Sequence, residues 1–429
     1  MALENVFLLQ DNYLGKLRAA AKTRQMSPTP LSVYSEPHQF EPLLPRLQLG
    51  ALIESTREVI EKAYRLQHAV APSTRRALQD LVRGMNSYYS NRIEGQGTHP
   101  VNIERALSAD FSAAPHVAQS QRIALAHIEA EKELEATLPQ EGVERFTLQS
   151  SFLVNAHAAL YRRLEAADRT TDDGRVIEPG ALRTQDVSVG RHQPPTAASV
   201  PAFLARMDDV YPRIKGLDSV LFYIAAAHHR AAWVHPFGDG NGRACRLQTH
   251  CAMLPLTAGL WSVNRGLARQ RDKYYELLDR ADAPRQGDLD GRGNLSEKAL
   301  AQWCEFFVEL AGDQVTFMGT LLGLDRLKDG IATLMLVRAE SSQHKNYSRQ
   351  ATLALHHVML AGPVARGEFM TMTGLPERTA SRVLAQLLKD RLLVSEGPKS
   401  PVSFSFPLDA LNILLPNLYP EASAINSEP

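Results

Sequence analysis

Apolar residues return every three to four positions over residues 52–66, 123–138 and 300–322, a period near 3.6 that predicts amphipathic helices. Residues 76–92 carry Leu78, Leu81, Val82 and Met85 at the same spacing. Residues 220–230 are apolar on most sides, which predicts a helix at the centre of a bundle. Alternation is confined to 179–190, bracketed by Pro179, Gly180 and Gly190, and to the carboxyl end. The pattern predicts a mainly α protein, with a small β-hairpin in its middle and another near its end. The proline-rich stretch 27–45 reads as an extended arm over the bundle or a flexible segment, and as a candidate homodimer contact.

Candidate chemistry is concentrated in His235-Pro236-Phe237-Gly238-Asp239-Gly240-Asn241-Gly242-Arg243-Ala244-Cys245-Arg246. The glycines flanking Asn241 lack Cβ and let backbone amides approach an anion closely. The residues after them can carry a helix, whose amino end has free N–H groups and a positive dipole. A phosphate fits that description. Asp239 is a hard oxygen ligand of the kind Mg²⁺ uses beside substrate phosphates. Arg243 and Arg246, three apart, can reach one polyphosphate. His235 titrates near neutrality and can take a proton from an attacking hydroxyl.

These residues fit every fixed position of H-x-F-x-[DE]-G-N-G-R-x-x-R, so the chain resembles Fic-domain AMP transferases. The resemblance implies a Fic helical bundle and an autoinhibited protein adenylyltransferase using ATP as co-substrate and Mg²⁺ as cofactor. AMP would pass to a hydroxyl of a protein target with an accessible Tyr, Ser or Thr, the chain itself included. His235 would be the general base, Phe237 the buried anchor of the loop and Asp239 the metal ligand. Gly240, Asn241 and Gly242 would form the anion hole, with Arg243 and Arg246 on the β- and γ-phosphates. The phosphorylating Doc branch has a lysine where this chain has Gly242, which favours AMP transfer over phosphate transfer.

Upstream, Ser90-Asn91-Arg92-Ile93-Glu94-Gly95 resembles the [ST]-x-x-x-E-[GN] inhibitory motif of the same family. Ser90 and Glu94 share one helix face, and Gly95 sits where a helix closes with a left-handed residue. A carboxylate in the last turn is opposed by the helix dipole, so Glu94 is better placed beside a cation, with Arg246 the candidate. By the resemblance that pair blocks productive binding of the γ-phosphate.

Between the motifs, 179–190 reads as a flap, and the resemblance gives Val187, Ser188 and Val189 the task of holding the target by strand addition. It also places Tyr274 and Tyr275 near the adenine, where base stacking and core packing are both open readings. His228 and His229 lack a partner ligand pair and read as structural. Residues 288–295 depart from a calcium loop at Arg292 and Ala299, and read as a turn before a helix capped at Ser296.

After Lys345 the chain reads as a helix, a helix–turn–helix around Gly374-Leu375-Pro376, and a hairpin, an order that resembles a winged-helix domain. Arg378, Thr379, Ser381, Arg382 and Gln386 would face outward on its recognition helix, with Lys399 in the wing. The surplus of basic residues there is thin for phosphate contacts. DNA is a candidate partner, and a DNA-binding regulator whose Fic core senses nucleotide or self-modifies is the alternative function. The expected domains are an N-terminal helical region with the inhibitory helix (1–110), a Fic catalytic core (111–330) and a winged helix-turn-helix domain (340–415).

The whole sequence changes this picture little. At 429 residues, 44% hydrophobic, the chain has room for two or three packed domains, and its formal net charge is +0. Cys245, Cys251 and Cys304 have no paired spacing, which suits a reducing cytoplasm. No apolar run approaches the roughly 20 residues of a membrane span, and the amino terminus has no secretion-signal pattern, so the expected site is cytoplasmic with no membrane partner.

Overall fold

Every periodic stretch of the sequence forms a helix. The computed structural model describes residues 33–419 apart from 71, 172 and 215; residues 27–32 of the proline-rich opening, with the rest of the first 32, lie outside the described residues. The first helices are α1 (Leu49–Ala69), α2 (Pro72–Ile93), α3 (Pro100–Leu107), α4 (Pro115–Ala136), α5 (Val143–Thr147) and α6 (Ser150–Tyr161). After a long excursion come α7 (Val200–Asp208), α8 (Val220–Val234), α9 (Asn241–Thr257), α10 (Val263–Arg269), α11 (Arg271–Ala281), α12 (Glu297–Leu321) and α13 (Leu324–Glu340).

Local sequence explains the boundaries. Pro100 and Pro115 stand in the first turn of α3 and α4, where the missing N–H has no helical partner to lose. The Ser296 hydroxyl accepts from the Ala299 N–H at 3.1 Å and starts α12, as expected from the sequence.

The apolar stretch at 220–230 becomes the buried α8, packed between α9 and α12. Trp303 of α12 is fully buried against it and donates its indole N–H to the Ala225 carbonyl at 2.6 Å. Truncating such a side chain costs about 3–5 kcal/mol. The described part of the proline-rich stretch is an arm laid on this core. Its fully buried Phe40 meets the edge of Phe203 at 4.9 Å, and the Pro42 carbonyl accepts from the buried Arg230 guanidinium at 2.7 Å. Helix α2 packs across α4 and α10, which brings its polar face against α9.

The C-terminal part continues with α14 (Thr352–Ala361), α15 (Arg366–Met372), α16 (Glu377–Lys389), a two-stranded antiparallel ribbon of β1 (Leu393–Val394) and β2 (Ser403–Phe404), and α17 (Leu411–Leu414). Leu393 pairs with Phe404 and Val394 with Ser403, and a bridge between Val364 and Val402 ties the ribbon to the segment before α15. The strands are shorter than the sequence pattern at 392–406 suggests. Tyr419 returns to pack on Tyr88 and Tyr89 of α2. No helix among the described residues is long and apolar enough to cross a membrane. All three cysteines are buried and unpaired.

Candidate active site

The candidate site is a cleft of 490 Å³ between the end of α8, the start of α9, the last turn of α2, α11 and the excursion before α7. His235, Asn241, Gly242, Arg246, Glu94 and Tyr275 all line it. The two motifs, some 140 residues apart in the chain, meet here.

His235 closes α8 in the left-handed region, at φ 49° and ψ 60°, its N–H still bonded to the Ala231 carbonyl. For a residue with a Cβ this conformation costs about 1–3 kcal/mol and must be held by its surroundings. Burial pushes the imidazole down to about 4, against the Ala232 carbonyl and with help from the positive charge of Arg183 and from neighbouring His192. The ring is therefore neutral at physiological pH and can accept a proton.

The loop after it is self-clasped. The Asn241 amide donates to the Phe237 carbonyl and accepts from the Phe237 N–H, both at 2.9 Å. Phe237 is fully buried and stacks on His157, centroids 4.0 Å apart. Gly240, at φ 75°, turns the chain into α9. The N–H groups of Asn241, Gly242 and Arg243 precede the first helical bond, from Ala244 N–H to the Gly240 carbonyl at 3.0 Å, so they are the donors a bound anion would meet. In Asn241 the backbone serves that purpose while the side chain braces the loop.

Asp239 accepts from the Tyr161 hydroxyl at 2.5 Å and from Arg243 at 3.1 Å. Burial opposes its ionisation, and the Arg243 charge, the Tyr161 hydroxyl and the Gly240 N–H outweigh that, so its carboxyl lies below the usual range. It is an ionised, half-exposed hard-oxygen donor, which fits a Mg²⁺ ligand.

Arg246 is buried and fully engaged by the upstream motif: Nε donates to the Ser90 hydroxyl at 2.9 Å, and Nη2 to the Ser90 carbonyl at 3.1 Å and the Glu94 carboxylate at 2.5 Å. Burial would raise the Glu94 pKa, but the Arg246 charge and hydrogen bond hold it below normal. The carboxylate lies directly over the start of α9, because a Cβ on Gly242 would be 2.3 Å from Glu94 Oε1. This pose of Glu94 therefore requires glycine at 242. Gly95, at φ 76°, closes the helix.

One expectation needs correction. The segment 179–190 is not a hairpin: the turn sits at Gly190 and Arg191, and only Val189 and His192 pair, at 3.0 and 2.9 Å. The residues before it cannot form a ladder because Arg183 bonds sideways to the loop at His235, and Asp186 turns away to cap the Ala197 N–H at 2.7 Å. Val187 and Ser188 are irregular backbone, and of the three flap residues only Val189 lines the cleft. Tyr274 and Tyr275 both line the cleft; Tyr274 is buried with its hydroxyl 3.0 Å from His228, and Tyr275 is partly exposed. His228 and His229 are structural, bonded to Thr249 and to the Leu278 carbonyl.

Three residues of this site escaped the sequence reading, His157, Tyr161 and His192, while the sequence places Arg183 only within the flap. His157 accepts from the Gly180 N–H at 2.9 Å and so carries its proton on Nε2, which donates to the Asp239 carbonyl at 3.1 Å. It lies stacked between Phe237 and Tyr161. Polar residues four apart inside the apolar stretch 152–161 were the available signal. A further cluster joins Glu131, Glu135 and His250, with Arg83 and Asn86 completing it.

A helical domain whose cleft joins an open helix start, a neutral histidine and a carboxylate on a buried arginine can be compared with known proteins. Residues 147–253 match the Fic/DOC family, so the chain contains a Fic domain. It is 33% identical over 114 residues to the protein adenylyltransferase Fic of Drosophila willistoni, covering 26% of this chain and 22% of that one. Against the protein adenylyltransferase Fic of Nematostella vectensis the identity is 27% over 207 residues, 47% of this chain and 43% of that one. The chain thus spans less than half the length of these curated relatives. A crystal structure of a Fic family protein from Desulfovibrio desulfuricans G20 is similar with a TM-score of 0.47 and 19% identity, covering 87% of this chain and 98% of that one.

Proposed function

We propose that this protein is an autoinhibited adenylyltransferase that moves AMP from ATP to a hydroxyl of a protein side chain. The observation that carries this reading is the meeting of a neutral His235 with the open first turn of α9 in one cleft. The triphosphate tail binds the N–H groups of residues 241–243 and the two arginines, which leaves the α-phosphorus facing His235. The target hydroxyl oxygen attacks that phosphorus, and the bond to the oxygen leading to the β-phosphate breaks. His235 takes the hydroxyl proton and pyrophosphate leaves. Asp239 would hold Mg²⁺, which supplies charge neutralisation of the phosphates when bound. Tyr275 is the better placed of the two tyrosines for the base. Val189 and its neighbours offer backbone to an extended target.

In this reading Glu94 inhibits by occupying Arg246 and the space over Gly242 with a carboxylate. An incoming γ-phosphate competes for the same guanidinium and meets like charge. Incubation with ATP labelled on the α-phosphate tests the reading: Glu94→Gly transfers label to protein, the native chain transfers less and His235→Ala none. Label entering only from the γ-phosphate contradicts it.

A second reading rests on α16, which buries Ala380, Val383, Leu384 and Leu387 and leaves Arg378, Thr379, Ser381 and Arg382 exposed. With the ribbon beside it, this part serves as a winged helix that contacts DNA. A mobility-shift assay showing duplex affinity that falls steeply with salt supports this, and no shift at low salt removes it.

A further inference from the structure

Resting on the AMP-transfer reading, we propose that Arg183 is a positioning residue for the reaction, one that sets the backbone carrying His235 and ties the flap to it. Its side chain is 2% exposed, and the guanidinium bonds to carbonyls of two separate segments. Nε donates to the His235 carbonyl at 2.8 Å, Nη1 to the Gln185 carbonyl at 3.0 Å, and Nη2 to the Pro195 carbonyl and, at 3.5 Å, to that of Val234. The backbone N–H of Arg183 adds a bond to the Pro236 carbonyl at 2.9 Å. One residue thus grips the chain before, at and after His235 while holding both arms of the flap.

The chemistry of the partners narrows the purpose. The one carboxylate paired with it among the described residues, Asp186, is 3.9 Å away and 72% exposed, so the buried cation is balanced mainly by carbonyl dipoles. That is a costly way to stabilise a fold. It is an effective way to hold a left-handed His235, because a rigid, planar fork of donors fixes several carbonyl directions at once, which a lysine ammonium cannot do.

Arg183 also acts on the imidazole through its charge. The titratable groups facing His235 are Arg183 and His192 from the flap and Asp239 from its own loop, while Glu94, Asp279 and Asp282 line the same cleft. Among them Arg183 and His192 favour the neutral ring. Geometry and charge from Arg183 therefore serve the same end, a correctly aimed imidazole free of its proton.

The test uses the full chain with Arg183→Met and Arg183→Lys, each alone and with Glu94→Gly. In the Glu94→Gly background, Arg183→Met lowers kcat on the order of a hundredfold, the loss expected for a small displacement of a reacting group. The KM for ATP stays within about twofold, because Arg183 bonds to nothing in the anion cradle. The acid limb of the kcat/KM profile moves to higher pH in Arg183→Met and returns in Arg183→Lys, which restores the charge but not the fork, so kcat stays low. A merely structural arginine would lower the folded fraction and leave that limb in place. The His235 imidazole titration, followed by NMR in the otherwise native chain, supplies a readout independent of transfer: it moves upward in Arg183→Met. An unmoved titration overturns the proposal even if label transfer is normal. A moved one sustains it even if the group transferred proves not to be AMP.

Discussion

Two clusters of opposite charge lie along one face of α2, and they differ in what stands beside them. Near its end, Ser90 and Glu94 hold Arg246, with the cleft and the open turn of α9 adjoining. Closer to its middle, Arg83 and Asn86 meet Glu131 and Glu135 of α4 and His250 of α9, and here Glu131 and His250 are buried while Arg83 and Glu135 keep only 17% and 13% of their side chains exposed. Glu94 keeps 30% of its side chain exposed, whereas Glu131 is fully buried. In the proposed reading a polyphosphate replaces the first carboxylate, since it brings negative charge to the same guanidinium. Nothing from solvent can replace the second. Burial alone does not make a charge pair permanent; the space next to it decides whether it is a lock or a bolt.

The largest effect should come from breaking the closed cluster. His250→Ala leaves Glu131 and Glu135 without their imidazole partner and should destabilise the fold by about 3–5 kcal/mol in urea unfolding, as removal of one member of a buried pair does. Glu94→Gly should cost less stability than that, about the 1.5–3 kcal/mol of its charged hydrogen bond to Arg246, while raising AMP transfer about ten- to a hundredfold. Equal stability losses from the two variants would erase the distinction between the clusters.

Acid should separate them further. His127 and His228 are held neutral by burial at about 3, and His157 and His235 at about 4, below the ordinary 6.5. Below pH 6.5 the unfolded chain takes up protons that the folded chain refuses, so stability present above 6.5 is lost as pH falls toward 4. Each fully buried histidine contributes about 1.4 kcal/mol per pH unit, about 2 kcal/mol by pH 5. His250 works in the opposite direction: burial would lower it, but Glu131 and Glu135 outweigh that, so its contribution is present below 6.5 and fades as pH rises. The Glu94 carboxyl stays ionised at pH 5, so inhibition should persist there while thermal stability declines, and His127→Leu should flatten that decline. The smallest effect expected is that of Ser90→Ala, which removes one hydrogen bond to Arg246, worth about 1 kcal/mol, and should raise transfer about fivefold.

The catalytic loop and the Glu94 motif were legible in the sequence because their chemistry is written in neighbouring residues. Glycines at 240 and 242, the histidine five positions earlier and two arginines one turn apart need only a helix start to become a cradle. The helices were legible from their period, and Ser296 from its place before α12. His157, Tyr161 and the task of Arg183 were not, because each residue acts on backbone or side chains about fifty or more residues away, and only packing reveals the partner. The flap misled for a physical reason. Its alternating pattern is the mark of a strand, yet a strand forms only where a neighbour offers a free edge, and Arg183 directs this backbone to the catalytic loop instead. Tyr274 and Tyr275 are adjacent in sequence, and which ring was buried depended on α11 packing against Trp303.

Whether Glu94 stands where a nucleotide's phosphates go, beside a ready base, is decided by a crystal structure of Glu94→Gly with Mg²⁺ and a non-hydrolysable ATP analogue. The terminal phosphates should lie on Arg246 and the first N–H groups of α9, with the α-phosphorus turned toward the His235 ring. Phosphates bound elsewhere in the cleft, or an imidazole turned away from the α-phosphorus, would contradict that placement.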